Sequence, residues 1–353
     1  MPTYVRVSEA DLFAFTCRVF EAAGMPPENA ALVAENLTQG ELHGLGSHGV
    51  SRLLPAYVQR TRAGAFNPTP HVKVLQCQGS TAVVDGDNGP GAVVGTYAMD
   101  LAIALAREHR SGWVAARNSN HFGAAFLYTR KALREGMIGF ATTAAVPQVA
   151  PFGGNAAALG TNPLCIAVPG GERGPIILDM ATTVVARGKV QLAALEGKPI
   201  PLGWAVDAQG RPTTDPVAGS KGRMLPLGGY KGYGLALMVE VFSSLLTGAA
   251  FGGGIGGLFA DFDRGQRVGH FFGALDVSAF MPLDAFRQRV DELIAYVKGM
   301  PLAEDTEEIL VPGEPEARKA AEYRAAGIPI EGDVLASING VAAELGVAPL
   351  RAM

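Results

Sequence analysis

The sequence predicts a mixed α/β fold in which a sheet-containing part is inserted between helical pieces at the two ends of the chain. Three observations predict this. Apolar residues recur at helical spacing over the first 60 residues, short β-like runs alternate with helical patterns after residue 70, and the tail from Glu316 is again helix-rich. Pro68 and Pro70 mark the break between the helical pattern of the first 60 residues and the alternating pattern that follows. We therefore expect a mainly helical unit of residues 1–70 with about 300–353, and a second unit of residues 71–299.

The helical piece at the start of the chain contains three predicted helices. Ser8 and Asp11 resemble a capping box at the start of the first helix. The second helix carries apolar residues at i, i+3, i+4 and i+7 from Ala30. The third is expected to run from about Ser47 to Thr61.

The middle of the chain alternates between strands and helices, which predicts a mixed sheet. The predicted strands are Val72–Leu75, Ala82–Asp85, Gly112–Ala116, Ile138–Thr142, Cys165–Val168, Ile176–Leu178 and Phe271–Leu275. The predicted helices are Ala92–Arg107, Phe122–Arg134, Thr182–Leu195, Lys231–Thr247 and Leu283–Lys298.

Composition excludes several classes of protein. The 353 residues are 48% hydrophobic, which excludes intrinsic disorder, and the net charge of −4 argues against a nucleic-acid partner. Three widely spaced cysteines argue against a disulfide framework or a zinc ribbon. The most apolar helix, Tyr233–Thr247, is too short to span a bilayer and contains Glu240. The first residues lack the apolar core of a signal peptide, so we expect a soluble, cytoplasmic protein without a membrane partner.

The strongest candidate for chemistry is the segment Gly46-Ser47-His48-Gly49 with Arg52. In a continuous helix, His48 and Arg52 would be at i and i+4 and project from one face. An imidazole exchanges protons near neutral pH, and a guanidinium can bind a carboxylate through two parallel hydrogen bonds. The alternative is an ordinary capped helix start with a surface His and Arg. Adjacent helix residues point about 100° apart, so Ser47 is not expected to meet the His48 ring in a hydrolase-like pair.

Several polar turns are further candidates for ligand contacts, although each alone is also typical of an ordinary turn. Asn118–Ala125 follows a predicted strand and precedes a helix, where free backbone N–H groups bind anions. The others are Phe152–Asn155, Gly160–Pro163, Leu178–Thr183 followed by Arg187-Gly188-Lys189, and Gly228–Gly232, in which Lys231 adds a cation at a helix start.

Two further motifs are rejected as binding sites. Gly252, Gly254 and Gly257 match Gly-x-Gly-x-x-Gly, but they follow a helix rather than a strand, so they are not a dinucleotide fingerprint. His43 and His48 lie near few carboxylates, so no metal site is expected.

Taken together, the motifs resemble those of the malate/L-lactate dehydrogenase family of the non-Rossmann type. The resemblance runs from about Leu12 to Glu316. It is carried in order by Ser47-His48-Gly49 with Arg52, Asn120-His121-Phe122-Gly123, Gly160-Thr161-Asn162-Pro163, Leu178-Asp179-Met180-Ala181-Thr182, Gly228-Gly229-Tyr230-Lys231-Gly232 and Pro312-Gly313-Glu314-Pro315. One departure is Tyr230, since many relatives have His before the motif lysine.

The resemblance implies a homodimeric oxidoreductase that uses NAD or NADP, bound in a domain of its own non-Rossmann fold with a mixed or antiparallel sheet. It implies His48 as proton donor or acceptor with Ser47 in support, and Arg52 as the group that binds a small carboxylate substrate. Thr161, Arg187 and Gly188 are implied as substrate contacts, and Lys189 as a catalytic position. The implied cofactor contacts are His121, Phe122, Gly123, Ala124, Ala125, Leu178, Asp179, Met180, Lys231, Pro312, Gly313 and Glu314.

Three functions follow from these observations. The first is a dehydrogenase of 2-hydroxy acids of the malate or lactate type. The second is a reductase of cyclic imine carboxylates on the same fold. Imine reductases of the family carry Asp where this chain has Lys189, whereas malate-type members carry Lys. The third is a nucleotide-binding protein without enzymatic activity.

Overall fold

The computed structural model describes residues 3–353 as a mixed α/β protein built on a seven-stranded sheet. The strands are β1 (Tyr4–Val7), β2 (Lys73–Gln78), β3 (Thr81–Gly89), β4 (Ser111–Ser119), β5 (Met137–Thr143), β6 (Leu164–Val168), β7 (Ile176–Met180), β8 (Ala205–Val206), β9 (Pro212–Thr213), β10 (Arg223–Met224), β11 (Val268–Asp276) and β12 (Ile328–Glu331). The helices are α1 (Glu9–Ala22), α2 (Pro27–Leu42), α3 (Val50–Arg62), α4 (Gly91–His109), α5 (Phe126–Arg134), α6 (Arg187–Glu196), α7 (Pro216–Lys221), α8 (Tyr230–Glu240), α9 (Leu283–Lys298), α10 (Glu314–Ala326) and α11 (Gly332–Glu344).

The large sheet has the strand order β2-β3-β4-β11-β5-β6-β7, and only the β3–β4 pair is parallel. A parallel pair needs a crossover connection, which α4 supplies. The alanine-rich α4 lies close against the sheet. A Cβ on Gly112 would be 1.9 Å from the carbonyl oxygen of Ala102, so only glycine allows this approach. The expected mixed sheet is therefore confirmed.

The two ends of the chain meet in a second core. β1 pairs with β12 in antiparallel register, and one apolar cluster holds residues between Val7 and Phe66 together with residues between Ala320 and Leu350. Ala92, Val93 and Leu258 of the middle segment join the same cluster. The division into two domains at residues 70 and 300 therefore stays a prediction.

Most predicted elements are present, but several helices begin later than expected. All seven predicted strands exist and each is longer than predicted, and α9 has the expected bounds. The third helix begins at Val50 because the backbone at Gly49 is extended. The expected helix start at Phe122 is wrong, since Gly123 has a φ of +73° and α5 begins at Phe126.

The expected helix start at Thr182 is also wrong. The N–H and the hydroxyl of Thr182 both donate to the carbonyl of Thr161 at 2.9 Å, so this segment continues beside another strand end and α6 begins at Arg187. The sequence pattern did not predict β1, β12 or the small sheet of β8, β9 and β10, because these strands are only two to four residues long. No helix within residues 3–353 is long and apolar enough to cross a membrane.

Candidate active site

The segment with His48 is a short 3-10 turn, Gly46–His48, followed by an extended residue and then α3. His48 and Arg52 are therefore not on one continuous helix, and the expected i, i+4 geometry is wrong. The positive charge of Arg52 nevertheless acts on the His48 ring and contributes to lowering its pKa. Removal from water is the larger cause, and together they lower that pKa to about 4.

Ser47 contacts the His48 ring, contrary to the expectation for adjacent helical residues. Its Oγ lies 2.9 Å from Nδ1 of His48, which the tight turn permits. Within residues 3–353, no hydrogen-bond partner engages Nε2. When the serine hydroxyl donates to Nδ1, the neutral ring carries its proton on Nε2. When the hydroxyl accepts from Nδ1, Nε2 is a proton acceptor. With Ser47 as partner, the His48 ring can therefore offer a ligand either an Nε2 proton donor or an Nε2 proton acceptor.

A buried carboxylate supports this turn from behind. Glu41, in the last turn of α2, accepts a hydrogen bond from the N–H of Ser51 at 2.6 Å and so caps the start of α3. A Cβ on Gly49 would lie 2.5 Å from the carboxyl carbon of Glu41, and a Cβ on Gly40 would lie 2.6 Å from the carbonyl oxygen of His48. The glycines around His48 are therefore required by close packing against α2. Sequence reasoning missed Glu41, whose only signal is a carboxylate between the apolar residues of a buried helix.

His121 lies beside His48 rather than in a separate loop. The two imidazole rings are stacked, with centroids 5.9 Å apart and planes 16° from parallel. The Tyr57 hydroxyl lies 2.7 Å from Nδ1 of His121. Burial, with smaller effects of His48, His270 and Arg52, lowers the pKa of His121 to about 3. Tyr57 was not singled out from the sequence, so this contact was missed.

In the residues after His121, the backbone is more available for ligand contacts than the side chains are. Phe122, Ala124 and Ala125 are buried, and the Phe122 ring stacks on His270 with centroids 4.7 Å apart. One of the N–H groups at this helix start has a protein partner. The N–H of Phe126, at the start of α5, donates to the carboxylate of Asp179 at 2.8 Å. The anion at this helix start is thus the protein's own Asp179.

The guanidinium of Arg52 is bordered by two distant parts of the chain. The ring of Phe259 lies 5.0 Å from its central carbon. A Cβ on Gly188 would lie 2.9 Å from its Nη1 atom, so the start of α6 also faces Arg52. Arg187 instead donates to the carbonyl of Ser220 at 2.7 Å, and Lys189 is exposed beside them. The structure thus brings together His48, Arg52, His121 and Gly188.

Two of the segments with implied cofactor contacts meet at β7. The carbonyl of Pro312 accepts from the N–H of Ile177 at 2.9 Å, which places Pro312 and Gly313 beside the strand that carries Leu178, Asp179 and Met180. Glu314 is bound by Lys298 at 2.7 Å, and its ion pairs and hydrogen bonds lower its pKa to about 2. Glu314 therefore has protein partners of its own.

Hydrogen bonds connect the turn that contains Thr161 with the turn that precedes Lys231. Thr182 bonds to Thr161, and the N–H of Leu227 donates to the carbonyl of Thr182 at 2.9 Å. Gly228 and Gly229 follow, with φ of +57° and +66°, and α8 then begins at Tyr230. Lys231 is exposed and forms no ion pair with any of residues 3–353.

Two neutral imidazoles beside a guanidinium form a site that can exchange a proton with an anionic ligand. The guanidinium supplies a counter-charge for a carboxylate, and the stacked rings supply the proton acceptor or donor. Within residues 3–353, no cluster of three or more His, Cys, Asp or Glu residues is placed to hold a metal ion.

Known proteins resemble this chain over almost all of its length. Residues 7–339 match the family described as malate/L-lactate dehydrogenase. The chain is 40% identical over 352 residues to a malate dehydrogenase of Pyrococcus horikoshii, covering 98% of this chain and 96% of that protein.

Solved structures share the whole fold. The sulfolactate dehydrogenase of Methanocaldococcus jannaschii superposes with a TM-score of 0.91 at 38% identity, over 97% of this chain and 98% of that one. The delta1-piperideine-2-carboxylate reductase of Pseudomonas syringae superposes with a TM-score of 0.86 at 29% identity, over 96% and 99% of the two chains. The chain therefore belongs to the malate/L-lactate dehydrogenase family, and it is a dehydrogenase.

Proposed function

We propose that the protein transfers hydride between NAD or NADP and a small 2-hydroxy or 2-oxo acid of the malate or lactate type. One observation carries the proposal most directly. The ring of His48, next to that of His121, lies near a guanidinium that has no carboxylate partner within residues 3–353. A substrate with its own carboxylate supplies the missing partner.

The residues present fit a dinucleotide. Lys231 is an exposed cation without a partner among the described residues, at the start of a helix and after two glycines with positive φ, which is a favourable place for a phosphate. A Cβ on Gly232 would be 2.0 Å from the carbonyl oxygen of Leu227, so this turn stays narrow. We assign the phosphates to Lys231 and the polar contacts of the remaining cofactor to Asp179 and the backbone of residues 121–125. The nicotinamide, when bound, supplies or accepts the hydride.

In the reduction, Arg52 binds the substrate carboxylate and so fixes the direction of its carbonyl group. The substrate carboxylate at Arg52 favours protonation of His48, and the resulting imidazolium donates its proton to the carbonyl oxygen as negative charge develops there; the product is the 2-hydroxy acid. In the oxidation, the neutral His48 ring accepts the hydroxyl proton. Ser47 bonds to Nδ1 and holds the ring so that Nε2 faces the substrate. We assign Thr161, Arg187, Gly188 and Lys189 to the substrate side of the site on the family resemblance, and the position of Gly188 next to Nη1 of Arg52 supports this assignment.

A cyclic imine carboxylate is the second candidate substrate, because the piperideine-2-carboxylate reductase has the same fold. Such a substrate has the same carboxylate for Arg52, and its imine nitrogen replaces the carbonyl oxygen. Lys189 favours the 2-oxo acid, since imine reductases of the family carry Asp at this position.

We also propose a homodimer. The segment Tyr230–Leu245 exposes a row of large apolar side chains, and such a continuous face is typical of a protein interface. Its members are Leu237, Met238, Phe242 and Leu245. Sedimentation of the wild type and of Leu245→Glu tests this, and a wild type that sediments as a monomer contradicts it.

The proposed reaction is tested by following NADH and NADPH oxidation with pyruvate, oxaloacetate and piperideine-2-carboxylate. We expect the highest kcat/KM with one of the two 2-oxo acids. Turnover of the imine alone supports the second candidate, and turnover of none of the three contradicts both.

A further inference from the structure

The loop of residues 256–266 contains the end of the glycine cluster that the sequence left without a function. It runs from the 3-10 turn Gly252–Gly254 to the start of β11. None of the motifs that carry the family resemblance lies in it. Three sets of contacts connect this loop to the candidate active site.

The first connection is a buried arginine. Arg60, near the end of α3, is completely buried. Among residues 3–353, its guanidinium donates hydrogen bonds only to carbonyl oxygens of the loop. These belong to Gly257 at 3.1 Å, Leu258 at 3.4 Å, Asp261 at 2.7 Å and Arg264 at 2.7 Å. Hydrogen bonds to a charged donor are the stronger kind, so Arg60 holds the loop in one conformation.

The second connection is at the base of the loop, where Gln266 is buried. Its Oε1 accepts from the N–H of His121 at 2.9 Å, and its Nε2 donates to the carbonyl of Gly256 at 3.0 Å. The N–H of Gln266 donates to the side-chain oxygen of Asn120 at 2.9 Å. The loop is therefore bound to the same segment that carries His121.

The third connection is Phe259, at the tip of the loop. Its side chain is 48% exposed, and its ring lies 5.0 Å from the central carbon of the Arg52 guanidinium. Arg52 is otherwise exposed and has a long, flexible side chain. A ring against one face of a guanidinium limits its rotamers and leaves its edge, which carries the N–H donors, open to a carboxylate.

We propose that Phe259 is a positioning and specificity residue for the substrate. Its ring holds Arg52 in the orientation that binds the carboxylate, and it occupies the space beside Arg52 that the side chain of a larger 2-oxo acid needs. Arg60 acts on the same site indirectly, by fixing the loop. This inference rests on the proposed function, because it assigns Phe259 a role toward the carboxylate substrate of that reaction.

The test compares Phe259→Ala, Phe259→Tyr and the control Phe280→Ala, which removes a phenylalanine that is 76% exposed and belongs to another segment. For each variant we would measure KM and kcat with the best small 2-oxo acid, and the cofactor dissociation constant by fluorescence. We would also measure the ratio of kcat/KM for 2-oxoisovalerate, a branched 2-oxo acid, to that for the small acid. Thermal melting verifies that each variant is folded.

For Phe259→Ala we expect KM to rise about 3- to 10-fold, within the range of a cation–π contact, with an unchanged cofactor dissociation constant. The ratio of kcat/KM for 2-oxoisovalerate to that for the small acid should rise at least about fivefold, because the substitution creates space beside Arg52. Phe259→Tyr keeps the ring and should restore KM to within about twofold, and Phe280→Ala should resemble the wild type.

Two results have distinct meanings. In the first, the wild type reduces a 2-oxo acid while Phe259→Ala shows an unchanged KM and an unchanged substrate ratio. That result overturns the role of Phe259 but not the proposed function. Wild-type protein that reduces no 2-oxo acid overturns the proposed function, and this inference with it.

Discussion

The imidazole rings of His48 and His121 are stacked, with their centroids 5.9 Å apart. Two rings this close, both near Arg52, do not hold two protons at low cost, because like charges repel in a partly desolvated site. Burial and neighbouring positive charge lower the pKa of His48 to about 4 and that of His121 to about 3. Both rings are therefore neutral at pH 7 in the free protein. His48 is thus ready to accept a proton, and a bound carboxylate near Arg52 offsets the positive charge that lowers its pKa.

The first prediction concerns His48. We expect His48→Ala to lower kcat about 10²- to 10⁴-fold, the usual contribution of a general acid or base, while the cofactor dissociation constant stays near that of the wild type. His109→Ala, which removes an exposed histidine at the end of α4, is the matched control. A His48→Ala variant with more than half of the wild-type kcat would refute the assignment and make His121 the better candidate.

The second prediction concerns the carboxylate of the substrate. Arg52→Lys should raise KM about 10- to 150-fold although the charge is kept. An ammonium cannot make the two parallel hydrogen bonds of a guanidinium, and losing one charge-assisted bond costs roughly 1.5–3 kcal/mol. Arg62→Lys, an exposed substitution in the last turn of the same helix, is the control. Steady-state kinetics with the best 2-oxo acid decide the question, and a KM within twofold of the wild type means that Arg52 does not bind the substrate.

The third prediction concerns the cofactor. Lys231→Ala should weaken NADH and NADPH binding more than it weakens substrate binding, because it removes the cation at a glycine turn that opens a helix. Lys221→Ala, at the end of α7, removes another exposed lysine as control. Fluorescence titration of both cofactors is the measurement. Equal dissociation constants in wild type and Lys231→Ala would exclude a phosphate contact at this lysine.

The fourth prediction concerns stability in mild acid. Burial lowers the pKa of His270, which lies between the hydroxyls of Thr143 and Ser119, to about 3. With His48 and His121, three histidines thus titrate near pH 3–4 when folded and near pH 6.5 when unfolded. Between these values the unfolded chain binds more protons, so the free energy of unfolding falls as the pH falls from about 6.5 towards 4.

Each histidine contributes up to about 1.4 kcal/mol per pH unit in this window. Urea unfolding at pH 7.5 and pH 5.5 should therefore show a loss of about 2–4 kcal/mol at the lower pH, before most carboxylates titrate. Equal free energies of unfolding at the two pH values would show that these rings are not held neutral by the fold.

The parts of the site that sequence analysis found are local. Ser47, His48 and Arg52 lie within six residues, and Gly228–Lys231 is a single turn, so their residue types alone indicate chemistry. The reason given for the His48–Arg52 pair was nevertheless wrong, since Gly49 interrupts the helix. The Ser47 contact was missed for the same reason, because the spacing of an α-helix does not describe a 3-10 turn.

The parts that sequence analysis missed depend on contacts between distant residues. Tyr57 meets His121 across 64 positions, and Arg60 meets the 256–266 loop across 197 to 204 positions. On a helix with an apolar face, Tyr57 has the pattern of a core residue, and Arg60 has that of a surface cation. Only the folded chain shows that the Tyr57 hydroxyl contacts His121 and that the Arg60 guanidinium binds the loop.

In the proposed reaction, hydride reaches the carbonyl carbon of a 2-oxo acid and His48 provides the proton. A competition reaction measures the first part directly. Wild-type protein would be given reduced cofactor carrying two deuterium atoms at nicotinamide C4, with equal concentrations of the best 2-oxo acid and of piperideine-2-carboxylate, and the products would be analysed by mass spectrometry. We predict one deuterium at C2 of the 2-hydroxy acid, little labelled cyclic amine, and a label that disappears in His48→Ala at equal reaction time. Deuterium found mainly in the cyclic amine would contradict the proposed substrate, and a 2-hydroxy acid labelled as fast by His48→Ala as by the wild type would contradict the role of His48.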